Sequence, residues 1–272
     1  MTPHDADARG EARLLVERHG NVLQLTLSNP PLRNALHPDL YADGIDALER
    51  AATDATLGAI VLTGTGAHFC AGGNVHRLAT NRRRPQAIQR DGIDRFHRWL
   101  LALRRCPLPV IAAVEGSAAG AGFSLALACD LIVAAKGARF SMAYVRIGLS
   151  PDGGGSAFLV NLLPRQLATE LLLTGAPVDA SRLQALGVVN RVVADGTTLA
   201  EALVLGQTLA RGPHRTHASI KALVDSAPNT PLDAQLARER DHFIDNLFGA
   251  DAGEGIDAFR QRRAPQFGRS PA

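Results

Sequence analysis

Two glycine-rich turns, each entered from an apolar run, carry the first chemistry open to this chain. Phe69-Cys70-Ala71-Gly72-Gly73-Asn74 follows Ala59-Ile60-Val61-Leu62-Thr63. Gly116-Ser117-Ala118-Ala119-Gly120-Ala121-Gly122 follows Val110-Ile111-Ala112-Ala113-Val114. Small residues let backbone N–H groups approach a ligand with no side chain in the way. Where such a turn opens a helix, free N–H groups and the helix dipole favour negative charge. Two N–H groups aimed at one point can hold an oxyanion, the central need of acyl-group chemistry. Taken singly, either turn is explained as well by tight strand–helix packing. A carboxylate stands further along, in Ser150-Pro151-Asp152-Gly153-Gly154-Gly155-Ser156. Asp after Pro and before glycines and a helix is also an N-cap pattern, so the residues alone leave Asp152 as both candidate base and candidate cap.

The elements that must position these groups follow from periodicity. Leu14 to Arg18 and Val22 to Leu27 flank His19-Gly20-Asn21 and read as a β-hairpin. Asn29-Pro30-Pro31 breaks the second strand, and His37 to Ala52 carries Leu40, Ile45 and Leu48 at helical spacing with Pro38 in the first turn. Strands at Ile60–Thr63, Val110–Val114, Leu131–Ala134 and Val188–Val193 alternate with helices at Ile93–Arg104, Gly122–Ala128, Ser156–Leu163 and Leu167–Leu173. Apolar strands alternating with helices predict an α/β fold with a mostly parallel, helix-covered sheet. From Leu199 onward only helical periodicity continues, through Leu203–Arg211, His217–Asp225, Leu232–Phe248 and Gly255–Arg263. The organisation expected is an α/β body over 1–198 and a helical region over 199–272.

Composition narrows the classes. A chain of 272 residues, 46% hydrophobic and 20% charged, is an ordinary globular composition able to bury a sizeable core. No apolar run reaches membrane-span length, so no membrane is expected. Met1 to Arg13 lacks an apolar core segment, so it reads as a frayed tail rather than a signal peptide. Cys70, Cys106 and Cys129 show neither disulfide nor zinc spacing, so reduced thiols, a cytoplasmic setting and no metal are expected. The net charge of +3 comes almost wholly from arginine, Lys136 and Lys221 being the only lysines. That balance suits a phosphorylated small molecule and does not call for nucleic acid. Arg82-Arg83-Arg84, beside Pro85 and without interleaved aromatics, reads as a solvated loop.

Five segments together resemble the crotonase (enoyl-CoA hydratase/isomerase) superfamily. They are Asn29-Pro30-Pro31-Leu32-Arg33-Asn34-Ala35-Leu36, Gly66 through Asn74, Ala113 through Asp130, Phe140 through Gly155, and Gly253 through Phe259 with Arg262, Arg263 and Pro265. They occur in the family's order over nearly the whole chain. The resemblance implies a spiral of ββα units with a helical C-terminal trimerisation region, acyl-CoA thioester substrates, and a homotrimer or dimer of trimers. It places the two oxyanion N–H groups on Gly73 and Ala121. The acid usual after the first oxyanion position is Asn74 here, a residue that also caps helices well.

The same resemblance raises a question about the base. Hydratases of the family use two glutamates, and the matching positions here are Ser124 and Tyr144, neither a carboxylate. Asp152 then matches the acid of the enoyl-CoA isomerase branches, where one carboxylate shuttles the proton. Met142, Tyr144, Leu149 and Ser124 are expected to shape the acyl pocket. Arg33, Ala35, Ala71, Gly72 and Lys221 are expected at the CoA moiety, although Arg33 and Lys221 also read as solvated charges. No cofactor beyond that CoA moiety is expected. Three alternatives remain open: a hydratase with an unusual base, another Asp-dependent crotonase reaction, and a non-catalytic acyl-CoA-binding protein. Gly122-Phe123-Ser124-Leu125-Ala126 falls short of a nucleophile elbow because its last position is Ala. His214 and His217 read as an exposed helix start.

Overall fold

Neighbouring residues of the run Ala59–Gly64 face opposite ways, and both faces are buried. In the computed structural model, which describes residues 12–267, this run is strand β3. Ala59 and Val61 pack with Val22, Ile111, Ala113 and Val133 beneath Ala202 and Leu205. Ile60 and Leu62 pack on the other side with Leu23, Leu25, Val110 and Ala112. A sheet dry on both faces needs apolar residues at every position, which is why its strands read as unbroken apolar runs.

β1 (Arg13–His19) and β2 (Val22–Ser28) form the expected antiparallel hairpin, His19 pairing with Val22. β2, β3, β4 (Val110–Val114), β6 (Leu131–Ala135) and β9 (Arg191–Val193) run parallel, giving a six-stranded sheet in the order β1-β2-β3-β4-β6-β9. A second sheet, unread from sequence, joins β5 (Ser117–Ala119), β7 (Arg139–Ser141) and β8 (Val178–Asp179). These strands are too short to show a period of two. With them the chain runs β4–β5–α4 (Ala121–Ala128), then β6–β7 and a 3-10 turn (Ala143–Ile147) into α5 (Gly155–Leu162), the ββα succession expected of the crotonase fold.

α1 (Pro38–Thr53), α3 (Gln86–Arg105) and α6 (Arg165–Thr174) cover predicted helices, while α2 (Val75–Asn81) and α7 (Ala180–Ala185) were not predicted. The exposed Arg82, Arg83 and Arg84 lie in the link from α2 to α3, as a solvated loop should. The C-terminal helices are α8 (Thr198–Ala210), α9 (His214–Ser226), α10 (Leu232–Leu247) and α11 (Ala250–Arg260). α8 supplies the Ala202 and Leu205 that roof one face of the main sheet. The predicted strand over Val188–Val193 is shortened to β9 because the N–H groups of Val188 and Val189 both turn back to the Leu183 carbonyl. Asn190 then meets β6 through its side chain, accepting the Ile132 N–H at 2.7 Å. Of the predicted frayed tail, Arg13 opens β1, and residues 1–11 lie outside the described part of the chain. No helix among the described residues is long and apolar enough to cross a membrane.

Candidate active site

Asn34 ties the early segment to the first glycine turn. It sits in the left-handed region (φ +58), which Asn tolerates better than most residues. Its side-chain amide donates to the carbonyls of Thr65 at 3.0 Å and His68 at 2.7 Å, and its oxygen accepts the Asn29 N–H at 3.0 Å. The backbone continues the join: Ala71 N–H donates to Arg33 O at 2.9 Å and Leu36 N–H to Gly72 O at 2.8 Å. Arg33, Ala35, Ala71 and Gly72 are thereby gathered along one edge, Arg33 exposed and Ala35 buried.

The two glycine turns are themselves zipped together. Phe69 N–H donates to Glu115 O, Cys70 N–H to Ser117 O, and Ala119 N–H to Cys70 O, at 2.8, 3.0 and 2.9 Å. The approach is so close that a Cβ on Gly72 would stand 2.4 Å from Ala119 O and 3.2 Å from Ala121 N. Gly73 is exposed beside this junction, and Ala121 opens α4, where the first N–H groups have no intrahelical acceptor. Neither the Gly73 nor the Ala121 N–H donates to an acceptor among the described residues. Asn74 caps α2 as expected, accepting the Arg77 N–H at 3.1 Å.

Asp152 lies in the loop before α5 and is joined to this region through Tyr144. That helix is capped by Gly154 with no side-chain bond, so the N-cap reading of Asp152 is not realised. Its carboxylate instead accepts the Tyr144 hydroxyl at 2.5 Å. The Tyr144 ring lies over Gly120, its Cζ 3.7 Å from where a Cβ would be, next to Ala121. Ser124 is buried below, its hydroxyl donating to the Asp152 carbonyl at 3.3 Å. Met142 is buried with it, against Gly155. Leu149 is 45% exposed, and its backbone N–H donates to Tyr144 O.

Burial, reinforced by the Asp152 charge, pushes the Tyr144 phenol well above its ordinary pKa, so it stays a protonated donor. Burial also pushes the Cys70 thiol up to about 12, which makes it an inert neighbour of the turn rather than a nucleophile.

Three neighbours went unread from sequence because each comes from a helix with no motif. His97 on α3 accepts the Gly153 N–H at 3.4 Å, and Phe96 packs against the same glycine. Tyr41 on α1 is buried against Phe96, with ring centroids 5.4 Å apart. Burial raises its phenol, and the charges of Arg77 and Asp152 act on it in opposite directions.

Lys221 is not gathered here. Its ammonium is bound by Asp130 and by Leu108 O, with 10% of the side chain exposed, at the end of α4 away from Ala121. Burial, only partly offset by Lys221, holds the Asp130 carboxyl above its ordinary pKa. Lys221→Met removes that offset and leaves a buried carboxylate unpaired, so a loss of about 3 kcal/mol in unfolding free energy is expected at neutral pH. Because the folded pKa of Asp130 is raised, the loss shrinks as acid protonates it. Denaturant unfolding at pH 7.5 and near pH 4 checks both statements, and an equal loss at the two values would contradict them.

Comparison with known proteins identifies the family. The sequence profile of the family described as enoyl-CoA hydratase/isomerase matches residues 17–270. The chain is 35% identical over 263 residues to the 2,3-dehydroadipyl-CoA hydratase of Escherichia coli K12, covering 94% of this chain and 98% of that protein. It is 36% identical over 249 residues to the 1,2-epoxyphenylacetyl-CoA isomerase of the same organism, covering 90% and 94%. The crystal structure of an enoyl-CoA hydratase from Polaromonas sp. JS666 superimposes with a TM-score of 0.92 at 51% identity, covering 93% of this chain and 99% of that one. An ordered set of five motifs, a ββα fold and these matches lead to one assignment: the chain belongs to the enoyl-CoA hydratase/isomerase family, within the crotonase superfamily.

Proposed function

We propose that this site moves the double bond of an enoyl-CoA thioester from C3 to C2, with Asp152 as the sole proton shuttle. The observation that carries the reading is the Asp152 carboxylate, free of helix capping and held by Tyr144, whose ring lies over Gly120 next to the Ala121 N–H, one of the two that lack acceptors among the described residues. Asp152 takes a proton from C2 of the 3-enoyl thioester. The electron pair moves toward the carbonyl, and the thioester oxygen becomes an enolate held by the N–H groups of Gly73 and Ala121. Protonated Asp152 then delivers the proton to C4, the double bond settles between C2 and C3, and the carboxylate is restored. Arg33, Ala35, Ala71 and Gly72 line the path for the CoA moiety, and no other cofactor enters.

Tyr144 acts as a positioning residue, since its hydroxyl engages one carboxylate oxygen and leaves the other for the proton. Tyr144→Phe is expected to lower kcat by about tenfold, the scale of one lost hydrogen bond to a charged group, with KM changed less than twofold or so. A KM effect with unchanged kcat would assign Tyr144 to pocket shape instead.

Hydration is the second reading, supported by the names of most relatives, such as the probable enoyl-CoA hydratase of Rhodobacter capsulatus. Incubation with 3-enoyl-CoA and 2-enoyl-CoA, following migration and water addition separately, decides between them. Migration without hydration is expected. Rapid hydration of the 2-enoyl thioester would overturn the isomerase reading. The reading as a non-catalytic binder predicts neither. A homotrimer, or a dimer of such trimers, is proposed as the assembly, supported by the exposed apolar residues Leu232, Phe243, Phe248 and Phe259 along α10 and α11.

A further inference from the structure

Asp152 is followed by three glycines, and Gly153 and Gly154 both hold positive φ, +59 and +76. A peptide plane followed by glycine can turn over, exchanging the directions of its C=O and N–H, because glycine takes φ of either sign. The plane between Asp152 and Gly153 is therefore held by its hydrogen bonds rather than by its own stiffness. On one side the Asp152 C=O accepts the Ser124 hydroxyl at 3.3 Å, the Tyr144 hydroxyl at 3.4 Å and the Gly155 N–H at 3.2 Å. On the other side the Gly153 N–H donates to Nε2 of His97 at 3.4 Å, and to no other acceptor among the described residues.

Three side chains of α3 converge on this glycine. Phe96, His97 and Leu100 share one face of the helix, since residues three and four apart are neighbours there. Phe96 Cε1 and Leu100 Cδ1 stand 2.5 and 3.3 Å from where a Cβ on Gly153 would be. These two contacts are apolar. They set how closely the loop lies on α3, but they do not distinguish an N–H from a C=O. His97, half-buried between them and solvent, does distinguish them. An imidazole nitrogen accepts only when it carries no proton, so the ring is neutral with its proton on Nδ1, and its Nε2 welcomes an N–H and repels a carbonyl oxygen.

We propose that His97 is a positioning residue for Asp152, its Nε2 fixing the orientation of the Asp152–Gly153 peptide. This role rests on the reading of Asp152 as the proton shuttle. The Tyr144 hydroxyl touches both the carbonyl and the carboxylate of Asp152, so the two lie on the same side of the loop. A turned-over peptide would bring the Gly153 N–H to that side. Donating to the carboxylate, it would stabilise the negative charge and make the group a poorer base. His97 keeps this donor on the far side and acts only through the peptide.

Two measurements on the full-length protein test the assignment. Heteronuclear NMR of the imidazole nitrogens at about pH 7.5, with the His97 signal identified by its absence from His97→Gln, is expected to show a neutral ring protonated on Nδ1. A proton on Nε2 would overturn the proposal, because that nitrogen could not accept. The second measurement is turnover of the thioester. The contact is long, so His97→Leu is expected to lower kcat about fivefold, the scale of one neutral hydrogen bond, with KM within about twofold of the parent. His97→Gln can place an oxygen where Nε2 stood and is expected to bring kcat back to within about twofold of the parent. Unchanged kcat in His97→Leu, an equal loss in both variants, or a change in KM alone would each overturn the proposal. Should His97→Leu fail to fold, the position of the imidazole proton and the His97→Gln kinetics still decide. Failure of double-bond migration in the parent protein would overturn the isomerase reading, while the NMR measurement, which needs no turnover, would still decide this one.

Discussion

Asp152→Asn is expected to lower kcat for double-bond migration by about 10²–10⁴-fold, the scale of losing a positioned general base. Asparagine has nearly the same shape and still offers an oxygen to the Tyr144 hydroxyl, the contact that holds the loop at 2.5 Å in the parent. It cannot take up a proton from C2 at neutral pH. Affinity for a saturated acyl-CoA should change little, because the carboxylate contributes to proton transfer rather than to holding the CoA. Solvent deuterium exchange at C2 should disappear together with migration, since both need the same abstraction. A variant that keeps more than about a tenth of the parental kcat would place the base elsewhere, with His97 at the Gly153 N–H as the group to test next.

Gly72→Ala is expected to damage both folding and catalysis. Gly72 has φ +88, a conformation that L side chains rarely adopt, and the new Cβ would stand 2.4 Å from Ala119 O and 3.2 Å from Ala121 N. Both neighbours are backbone, so no rotamer change relieves the contact. Relief requires the two turns to separate, which would break the proposed alignment of the Gly73 and Ala121 N–H groups on one oxygen. Misplacing one such donor costs about 10²-fold in kcat. The strain itself should lower stability by about 2–3 kcal/mol, or about 5–10 °C in Tm for a chain of this size. Gly73→Ala is the internal control: its Cβ meets nothing within 4 Å, so its melting temperature should match the parent. Equal melting of all three proteins would mean that the junction is looser than these distances imply.

The parts of the fold that sequence made legible are those with a repeating pattern. The Val22–Ser28 and Ala59–Gly64 strands announce themselves because burial on both faces requires apolar residues throughout. β5, β7 and β8, two or three residues each, are set by neighbours rather than by their own residues, and nothing local marks them. The candidate site divides the same way. The glycine turns are legible because their chemistry is backbone chemistry and needs small residues in sequence. Asp152 stays ambiguous because Pro-Asp-Gly serves a cap or a base equally, and only the Gly154 cap separates them. Tyr144 reads as a missing acid, while its bond to Asp152 crosses from a 3-10 turn to a loop and is invisible one residue at a time. Lys221 reads as a surface cation because nothing near it in sequence reveals Asp130, 91 residues away.

The zipper between the two glycine turns has an evolutionary consequence. The groups proposed to hold the thioester oxygen are main-chain atoms, so the genetic code specifies them only through the shape of the turns. The groups that would decide the outcome of the reaction, at positions 124, 144 and 152, are ordinary side chains around one helix start and one loop. None of these side chains takes part in the hydrogen bonds that join Phe69, Cys70 and Ala119 to their partners, so each can be exchanged with the zipper left in place. Such a scaffold lets a lineage swap proton chemistry while keeping its grip on activated acyl groups, a division of labour in which the stable part is inherited and the variable part explores.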